Sequence, residues 1–124
     1  MQNVKMLIVD DYKDNRSLLK QIANLLEYEY IEAENGKQAL QALSENEDIN
    51  LVLMDIEMPE MNGIEAVEEI RKLYSHHSTV PVIAITAHST EHFDTKLKRA
   101  GFNNYITKPY TLDKIKEIVD MYFE

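Results

Sequence analysis

Four apolar residues and an acid, Leu51-Val52-Leu53-Met54-Asp55, form the run that decides the fold of this chain. A short, continuous apolar segment of this kind is typical of a parallel strand that helices cover on both faces. Two other runs share the pattern: Met6-Leu7-Ile8-Val9 before Asp10 and Asp11, and Val82-Ile83-Ala84-Ile85 before Thr86. The sequence therefore predicts a buried parallel sheet whose strands end in polar, chemically useful groups.

Helical patterns separate the strands and give a βα order that repeats five times. Apolar residues recur at helical spacing in five segments, namely Leu18, Leu19, Ile22, Leu25 and Leu26; Ala39, Leu40 and Leu43; Ile64, Val67, Ile70 and Tyr74; Phe93, Leu97 and Ala100; and Leu112, Ile115, Ile118, Val119 and Tyr122. Turn signals at Asn35-Gly36 and Asn62-Gly63 open the second and third helices. Gly101 is a predicted C-cap of the fourth helix, and Thr111 a predicted N-cap of the fifth.

The two remaining strands look like the edges of the sheet. Residues 28–33 mix charged and apolar side chains, and residues 104–107 are short and flanked by polar groups. Central strands 1, 3 and 4 with edges 2 and 5 match the strand order 2-1-3-4-5. We therefore expect an α/β, flavodoxin-like three-layer sandwich, in which one domain spans residues 1–124 and the switch point lies between strands 1 and 3.

Composition excludes several classes of protein. The 124 residues contain no cysteine, which rules out disulfides and thiolate chemistry. A net charge of −9, from 22 acidic and 13 basic residues, opposes binding to nucleic acid and to anionic membranes. No apolar run reaches the roughly 18 residues that a membrane span needs, and a strand so near the first residue leaves no room for a signal peptide. We expect a cytoplasmic protein.

The strand ends predict a metal-assisted phosphoryl acceptor. Since the carboxyl ends of parallel strands share one edge, Asp10, Asp11 and Asp55 should meet beside Thr86 and Lys108. Each pair of carboxylates about 4 Å apart repels by roughly 4 kcal/mol at an effective dielectric near 20, so a cation should fill the site. Oxygen ligands alone favour Mg²⁺ or Mn²⁺ over zinc. One carboxylate remains as the nucleophile for phosphoryl transfer, which mainly needs positioning and charge neutralisation.

Four motifs together resemble the receiver domain of two-component response regulators: Asp10-Asp11, the run Leu-Met-Asp-Ile-Glu-Met-Pro-Glu-Met-Asn-Gly at 53–63, Thr86-Ala87, and Lys108-Pro109. The resemblance implies that Asp55 takes a phosphoryl group from the phosphohistidine of a sensor histidine kinase or a phosphotransfer protein. It implies that Asp11, Asp55 and the backbone carbonyl of Glu57 bind Mg²⁺, while Asp10 acts through a metal-bound water. Lys108 and Thr86 would contact the phosphoryl oxygens, and the Lys108-Pro109 bond would be cis.

The same resemblance implies a conformational switch. Thr86 would move toward the phosphoryl group, and Tyr105 would turn inward into the vacated space. The surface of helix 4, strand 5 and helix 5 would then signal to an unknown downstream protein. Helix 4 has the sparsest apolar face, so we expect it to be loosely held. Glu57 and His88, two residues after Asp55 and Thr86, should tune the lifetime of the aspartyl phosphate.

Other functions remain as alternatives. A phosphatase of the haloacid dehalogenase type would need a second Asp where this chain has Glu57. A flavodoxin-type redox carrier would need a phosphate-binding first loop, whereas residues 10–14 are acidic. A scaffold that only binds is a further alternative. His88 and His92 have a spacing that can bind zinc, but no third ligand is evident, so we interpret them as a solvated helix face. The same interpretation holds for His76-His77, which lies in a polar loop. We expect a phosphoaccepting domain rather than a turnover enzyme, either as a stand-alone regulator or as part of a hybrid kinase.

Overall fold

The computed structural model describes residues 3–56, 58, 62–87 and 91–123, with the backbone alone at 91–94. Five strands alternate with five helices along the chain. In order they are β1 (Lys5–Val9), α1 (Lys13–Leu25), β2 (Glu29–Ala33), α2 (Gly36–Glu45), β3 (Leu51–Asp55), α3 (Gly63–Arg71), a 3₁₀ turn (His76–Thr79), β4 (Val82–Thr86), α4 (Glu91–Ala100), β5 (Asn104–Thr107) and α5 (Leu112–Asp120).

The five strands form one parallel sheet in the order β2-β1-β3-β4-β5. This confirms the predicted order, with β2 and β5 at the edges. All residues of β3 and β4 are buried, whereas β2 buries fully only Ala33 and β5 buries fully only Ile106. The apolar runs therefore lie in the centre because helices cover them on both faces.

Two hydrophobic cores lie on opposite faces of the sheet. Successive residues of a strand point to opposite faces, so Leu7 and Val9 contribute to one core and Met6 and Ile8 to the other. Helices α2, α3 and α4 cover the first face, and α1 and α5 cover the second. The result is the predicted three-layer sandwich.

The predicted caps Gly101 and Thr111 are present in the structure, and Asn35 and Asn62, predicted as parts of turns, also cap helices. The side chains of Asn35, Asn62 and Thr111 each accept a hydrogen bond from a backbone N–H in the first turn of the helix that follows. Gly101 ends α4 with a φ of +119°, and the N–H groups of Gly101 and Phe102 donate to the Leu97 carbonyl oxygen. The positive φ explains the glycine, because side chains rarely tolerate it.

The guanidinium of Arg71 joins the end of α3 to three other segments. Nε and Nη2 donate to the Gly101 carbonyl oxygen at 3.0 and 2.7 Å, and Nη2 also donates to Asn103 Oδ1 at 2.8 Å. Nη1 donates to the carbonyl oxygens of Val80 at 2.7 Å and Ser78 at 3.2 Å. The C-terminal end of α4 is thereby held against α3 and the start of β4.

Two predicted apolar faces need correction. In α1 the buried stripe is Leu19, Ile22 and Ala23, while Leu18 and Leu25 are 44% and 73% exposed. Each exposed leucine precedes a residue of the inward face (Leu26 is the partly buried member), and one residue turns a helix by about 100°. Tyr74 does not belong to α3, because 3₁₀-type bonds at Lys72 and Leu73 close the helix at Arg71 and leave the tyrosine fully exposed.

The prediction that His76 and His77 are both solvated is wrong for His77. The 3₁₀ turn packs this ring inward, so that it is 3% exposed, while His76 stays at the surface. Its Nε2 atom has no hydrogen-bond partner within the described part of the chain. Burial and the neighbouring His76 lower the pKa of His77.

No helix within the described ranges is both long and apolar enough to cross a membrane.

Candidate functional site

Sheet register brings the predicted site residues to one edge. Val9 pairs with Met54 and Thr86 pairs with Thr107, so Asp10 and Lys108 directly follow paired strand positions. Asp55, the last residue of β3, pairs with Ile85 of β4. Four neighbouring strands therefore end in the groups that the sequence singled out. The Lys108 N–H also donates to the Thr86 carbonyl oxygen at 2.8 Å, which ties the ends of β4 and β5 together.

Three carboxylates meet at this edge. One oxygen from each of Asp10, Asp11 and Asp55 lies within 4.8 Å of the others. Asp10 and Asp55 are buried, at 0% and 5% exposure, while Asp11 is exposed. The cluster therefore has two buried acids and one acid at the surface, where an ion can enter from solvent.

Asp10 has an oxygen that a cation would satisfy. Its Oδ1 accepts the Tyr12 N–H at 2.9 Å, but its Oδ2 is buried with no hydrogen-bond partner among the described residues. Buried polar atoms normally have partners, and a bound cation would be such a partner for this oxygen. Three carboxylates without nitrogen or sulfur donors fit Mg²⁺, which takes one or two protein carboxylates and keeps waters in its other positions.

Gly63 packs directly against the backbone of Asp55 and Ile56. Its N–H donates to the Ile56 carbonyl oxygen at 3.1 Å, and a Cβ there would lie 2.6 Å from Ile56 Cα and 2.7 Å from the Asp55 carbonyl oxygen. Only glycine allows α3 to begin this close to the end of β3. The sequence indicated a turn at Asn62-Gly63, but not this contact with the site.

Arg16 is a buried cation that sequence reasoning missed. Its Nη1 donates to the Asp10 carbonyl oxygen at 2.7 Å. On its other side, Nε and Nη2 lie 3.3 and 3.4 Å from carboxylate oxygens of Glu32 and Glu34. The available signal was an arginine on the inward side of α1, six residues after Asp10, opposite two acids at the end of β2.

Tyr110 also escaped sequence reasoning. Burial, followed by the negative charges of Asp10 and Asp55, raises the pKa of Tyr110 to about 12. The phenol is therefore neutral at physiological pH, and it reports the negative potential of the cluster.

The remaining predicted residues have mixed outcomes. Thr86 is buried at 1% exposure, and Lys108 and Tyr105 are half-buried. The Lys108-Pro109 bond is cis, as the resemblance implied. Glu57 and His88 lie outside the described residues, as do the side chains of His92 and Phe93. Their predicted roles, and that of helix 4 as a loosely held element, therefore stay predictions.

Comparison with known proteins agrees with this geometry. The response regulator receiver domain family matches residues 6–120. Chemotaxis protein CheY1 of Helicobacter pylori is 36% identical over 119 residues, which cover 95% of each chain. Sensor histidine kinase RcsC of Escherichia coli is also 36% identical over 122 residues, 98% of this chain but 12% of the kinase.

Solved structures show the same fold. Chemotaxis protein CheY4 of Vibrio cholerae superposes with a TM-score of 0.90 over 97% of this chain and 98% of that one, at 22% identity. The receiver domain of sensor histidine kinase PA1611 from Pseudomonas aeruginosa superposes with a TM-score of 0.87 over 98% of both chains, at 26% identity. That structure is described with a magnesium ion in its active-site cleft. The sequence matches and the carboxylate cluster at the strand ends lead to one conclusion: the chain belongs to the response regulator receiver domain family of two-component signalling.

Proposed function

We propose that this domain accepts a phosphoryl group on Asp55 and passes the signal on by protein contact. The observation that carries the proposal is the position of Asp55, a buried carboxylate within 4.8 Å of two others at the sheet edge where β4 and β5 also end. The donor is a phosphohistidine of a sensor histidine kinase or a histidine phosphotransfer protein. An Asp55 oxygen forms a bond to phosphorus as the P–N bond breaks, and the electron pair of that bond stays on the imidazole nitrogen.

The carboxylates form the proposed metal site. Asp11, Asp55 and the backbone carbonyl of Glu57 would hold Mg²⁺, with Mn²⁺ as a substitute, and Asp10 would contact it through a water molecule. The bound ion supplies charge neutralisation for the incoming phosphoryl oxygens. The orphaned Asp10 Oδ2 and the acid at the pocket mouth support this assignment.

Thr86 and Lys108 supply the other contacts to the phosphoryl group. Lys108 offers a cation from the end of β5, and the Thr86 hydroxyl donates a hydrogen bond from the end of β4. Thr86 is buried and pairs with Thr107, two residues after the half-buried Tyr105 on β5, so movement of the threonine is proposed to make room for the ring. We propose that this rearrangement changes the α4, β5 and α5 surface that a downstream protein binds.

Glu57 and His88 complete the proposal as residues that tune the phosphoryl lifetime. Both follow reactive positions by two residues, Asp55 and Thr86 respectively. The domain itself, proposed to span residues 1–124 and to work in the cytoplasm, promotes its own phosphorylation and slow dephosphorylation. With a net charge of −9, it is proposed to bind neither nucleic acid nor membrane directly.

Intact mass after treatment with acetyl phosphate tests the proposal. Wild type should gain one phosphoryl group with Mg²⁺ and none with EDTA, and Asp55→Asn should gain none in either. An adduct on Asp55→Asn would place the acceptor elsewhere. Absence of any adduct on wild type, repeated with a phosphorylated histidine kinase as donor, would support the scaffold that only binds.

A further inference from the structure

A buried guanidinium contacts the loop that carries two of the three carboxylates. Arg16 lies in the first turn of α1 and is 8% exposed. Its 2.7 Å hydrogen bond ends on the carbonyl oxygen of Asp10, which belongs to the peptide group joining Asp10 to Asp11. Because a peptide group is planar, fixing this oxygen also fixes the orientation of the bond that leads into Asp11.

Two other bonds hold the same loop. The Asp10 N–H donates to the Ala33 carbonyl oxygen at 3.1 Å, and Asp10 Oδ1 accepts the Tyr12 N–H at 2.9 Å. Both would remain if Arg16 were changed, yet neither restrains the peptide between the two acids. The contact to the Asp10 carbonyl oxygen is the restraint that Arg16 alone supplies among the bonds described for this loop.

Two acids at the end of β2 hold the guanidinium in place. Glu32 and Glu34 form ion pairs with the edge of the guanidinium that faces away from Asp10. Lys20 also forms an ion pair with Glu32, at 3.2 Å. Since the planar guanidinium is a fixed fork of donors, it can contact a carbonyl on one edge and carboxylates on another. A lysine ammonium is a point charge and cannot span both.

We propose that Arg16 is a positioning residue for cation binding: it aligns Asp10 and Asp11 with Asp55 by holding the peptide between them. This inference rests on the proposed metal-dependent function. A role limited to charge would act in the opposite direction, because a cation behind the cluster repels Mg²⁺ and its removal would tighten binding. The sign of the change in Mg²⁺ affinity therefore separates positioning from charge compensation.

Calorimetric titration with MgCl₂ tests the inference on three variants. Arg16→Met should weaken Mg²⁺ binding about tenfold, the lower range for loss of a group that orients metal ligands. Arg16→Lys keeps the charge but loses the fork, so it should also bind more weakly than wild type. Lys20→Met is the matched control, because it removes one positive charge and a Glu32 contact but no bond to the loop. It should bind Mg²⁺ as tightly as wild type or more tightly.

Two further measurements make the outcome decisive. Thermal unfolding in EDTA reports stability, and a role in stability alone would lower the unfolding temperature while leaving Mg²⁺ affinity unchanged. If Arg16→Met does not fold, Arg16→Lys replaces it, because it keeps the positive charge and should bind Mg²⁺ more weakly only through loss of the fork. Wild-type affinity in the folded variants would overturn the positioning role. No Mg²⁺ binding by wild type would instead remove the proposed function.

Discussion

The carboxylate of Asp10 is completely buried, and its Oδ2 has no hydrogen-bond partner in the described part of the chain. Two more carboxylates lie within 4.8 Å. Without a cation this arrangement costs stability, because like charges repel most strongly where water is excluded. Functional sites of this kind commonly make a protein less stable than its fold would otherwise be.

Replacement of Asp10 by Asn should therefore stabilise the metal-free protein. The amide keeps the acceptor for the Tyr12 N–H and removes one negative charge, so we expect the free energy of unfolding in EDTA to rise by about 1 kcal/mol. Urea unfolding measures it, and added MgCl₂ should stabilise wild type more than the variant. Asp14→Asn, at an exposed acid in the first turn of α1, is the control and should give no gain. Lower stability of Asp10→Asn in EDTA would contradict the prediction.

Tyr110 should ionise at higher pH than the tyrosines that the carboxylate cluster does not influence. Its pKa of about 12, set first by burial and then by Asp10 and Asp55, lies above the ordinary 10.0. Because the folded-state pKa is raised, the contribution of Tyr110 to stability is complete below pH 10 and is lost as the pH rises through 12. In an alkaline absorbance titration, Tyr110→Phe should remove the latest step, and Asp55→Asn should shift it to lower pH. A titration curve that Asp55→Asn leaves unchanged would count against the electrostatic link.

At the scale of elements, the start of α3 sets the position of Asp55. The Gly63 Cα lies so close to the Asp55 and Ile56 backbone that an added methyl group forces α3 and β3 apart. The N-cap of α3 is encoded locally by Asn62, whose side chain accepts the Glu65 N–H at 2.9 Å. The glycine is required instead by a contact between two elements.

Gly63→Ala should therefore lower both stability and metal affinity. Overpacking against backbone typically costs about 1–3 kcal/mol, and the shifted Asp55 should bind Mg²⁺ more weakly. Urea unfolding and calorimetric titration measure the two effects. Gly101→Ala is the matched control, because a φ of +119° and an added Cβ that would lie 2.9 Å from Arg71 Cγ make it destabilising at the other end of the sheet. It should lose stability and keep its Mg²⁺ affinity, and a Gly63→Ala variant with normal affinity would refute the link.

The apolar patterns predicted the helices more reliably than their inward faces. Leu18 and Leu25 share the sequence character of Leu19 and Ile22, and only the packing of α1 on the sheet leaves them exposed. The end of α3 likewise could not be predicted from the sequence, because 3₁₀-type bonds rather than a proline or glycine end the helix before Tyr74. Local sequence favours a helix, whereas its rotation and last turn depend on what it packs against.

At the scale of the molecule, the sequence predicted which strands are central and which lie at the edges, because the degree of burial is similar along the length of each strand. Continuous apolar runs belong to β1, β3 and β4, and mixed or short runs to the edges β2 and β5. That order also predicted which acids would meet. Arg16 could not be predicted in the same way, since its role depends on one carbonyl and two acids that only the folded chain brings together.

Global stability should depend on pH near neutrality because folding buries His77. Burial, then the charge of His76, lowers its pKa from the ordinary 6.5, so its contribution to stability is present above pH 6.5 and lost as the pH falls through the lowered value. Urea unfolding on either side of pH 6.5 should show that the free energy of unfolding of wild type decreases as the pH falls. The decrease should be smaller for His77→Gln. His76→Gln, at the exposed neighbour, should keep most of the decrease. Equal pH dependence in wild type and His77→Gln would exclude His77 as the cause.

The hydrogen bonds of Arg71 give helix α4 a fixed pivot. Its last turn is held through the Gly101 carbonyl oxygen, and the Asn103 side chain beyond it is held by the same guanidinium. Any displacement of α4 that leaves these bonds intact is a swing about its C-terminal end, so its amplitude grows toward the N-terminal end that follows Thr86. A movement at the strand edge would therefore displace the nearest end of the helix most, with the opposite end stationary.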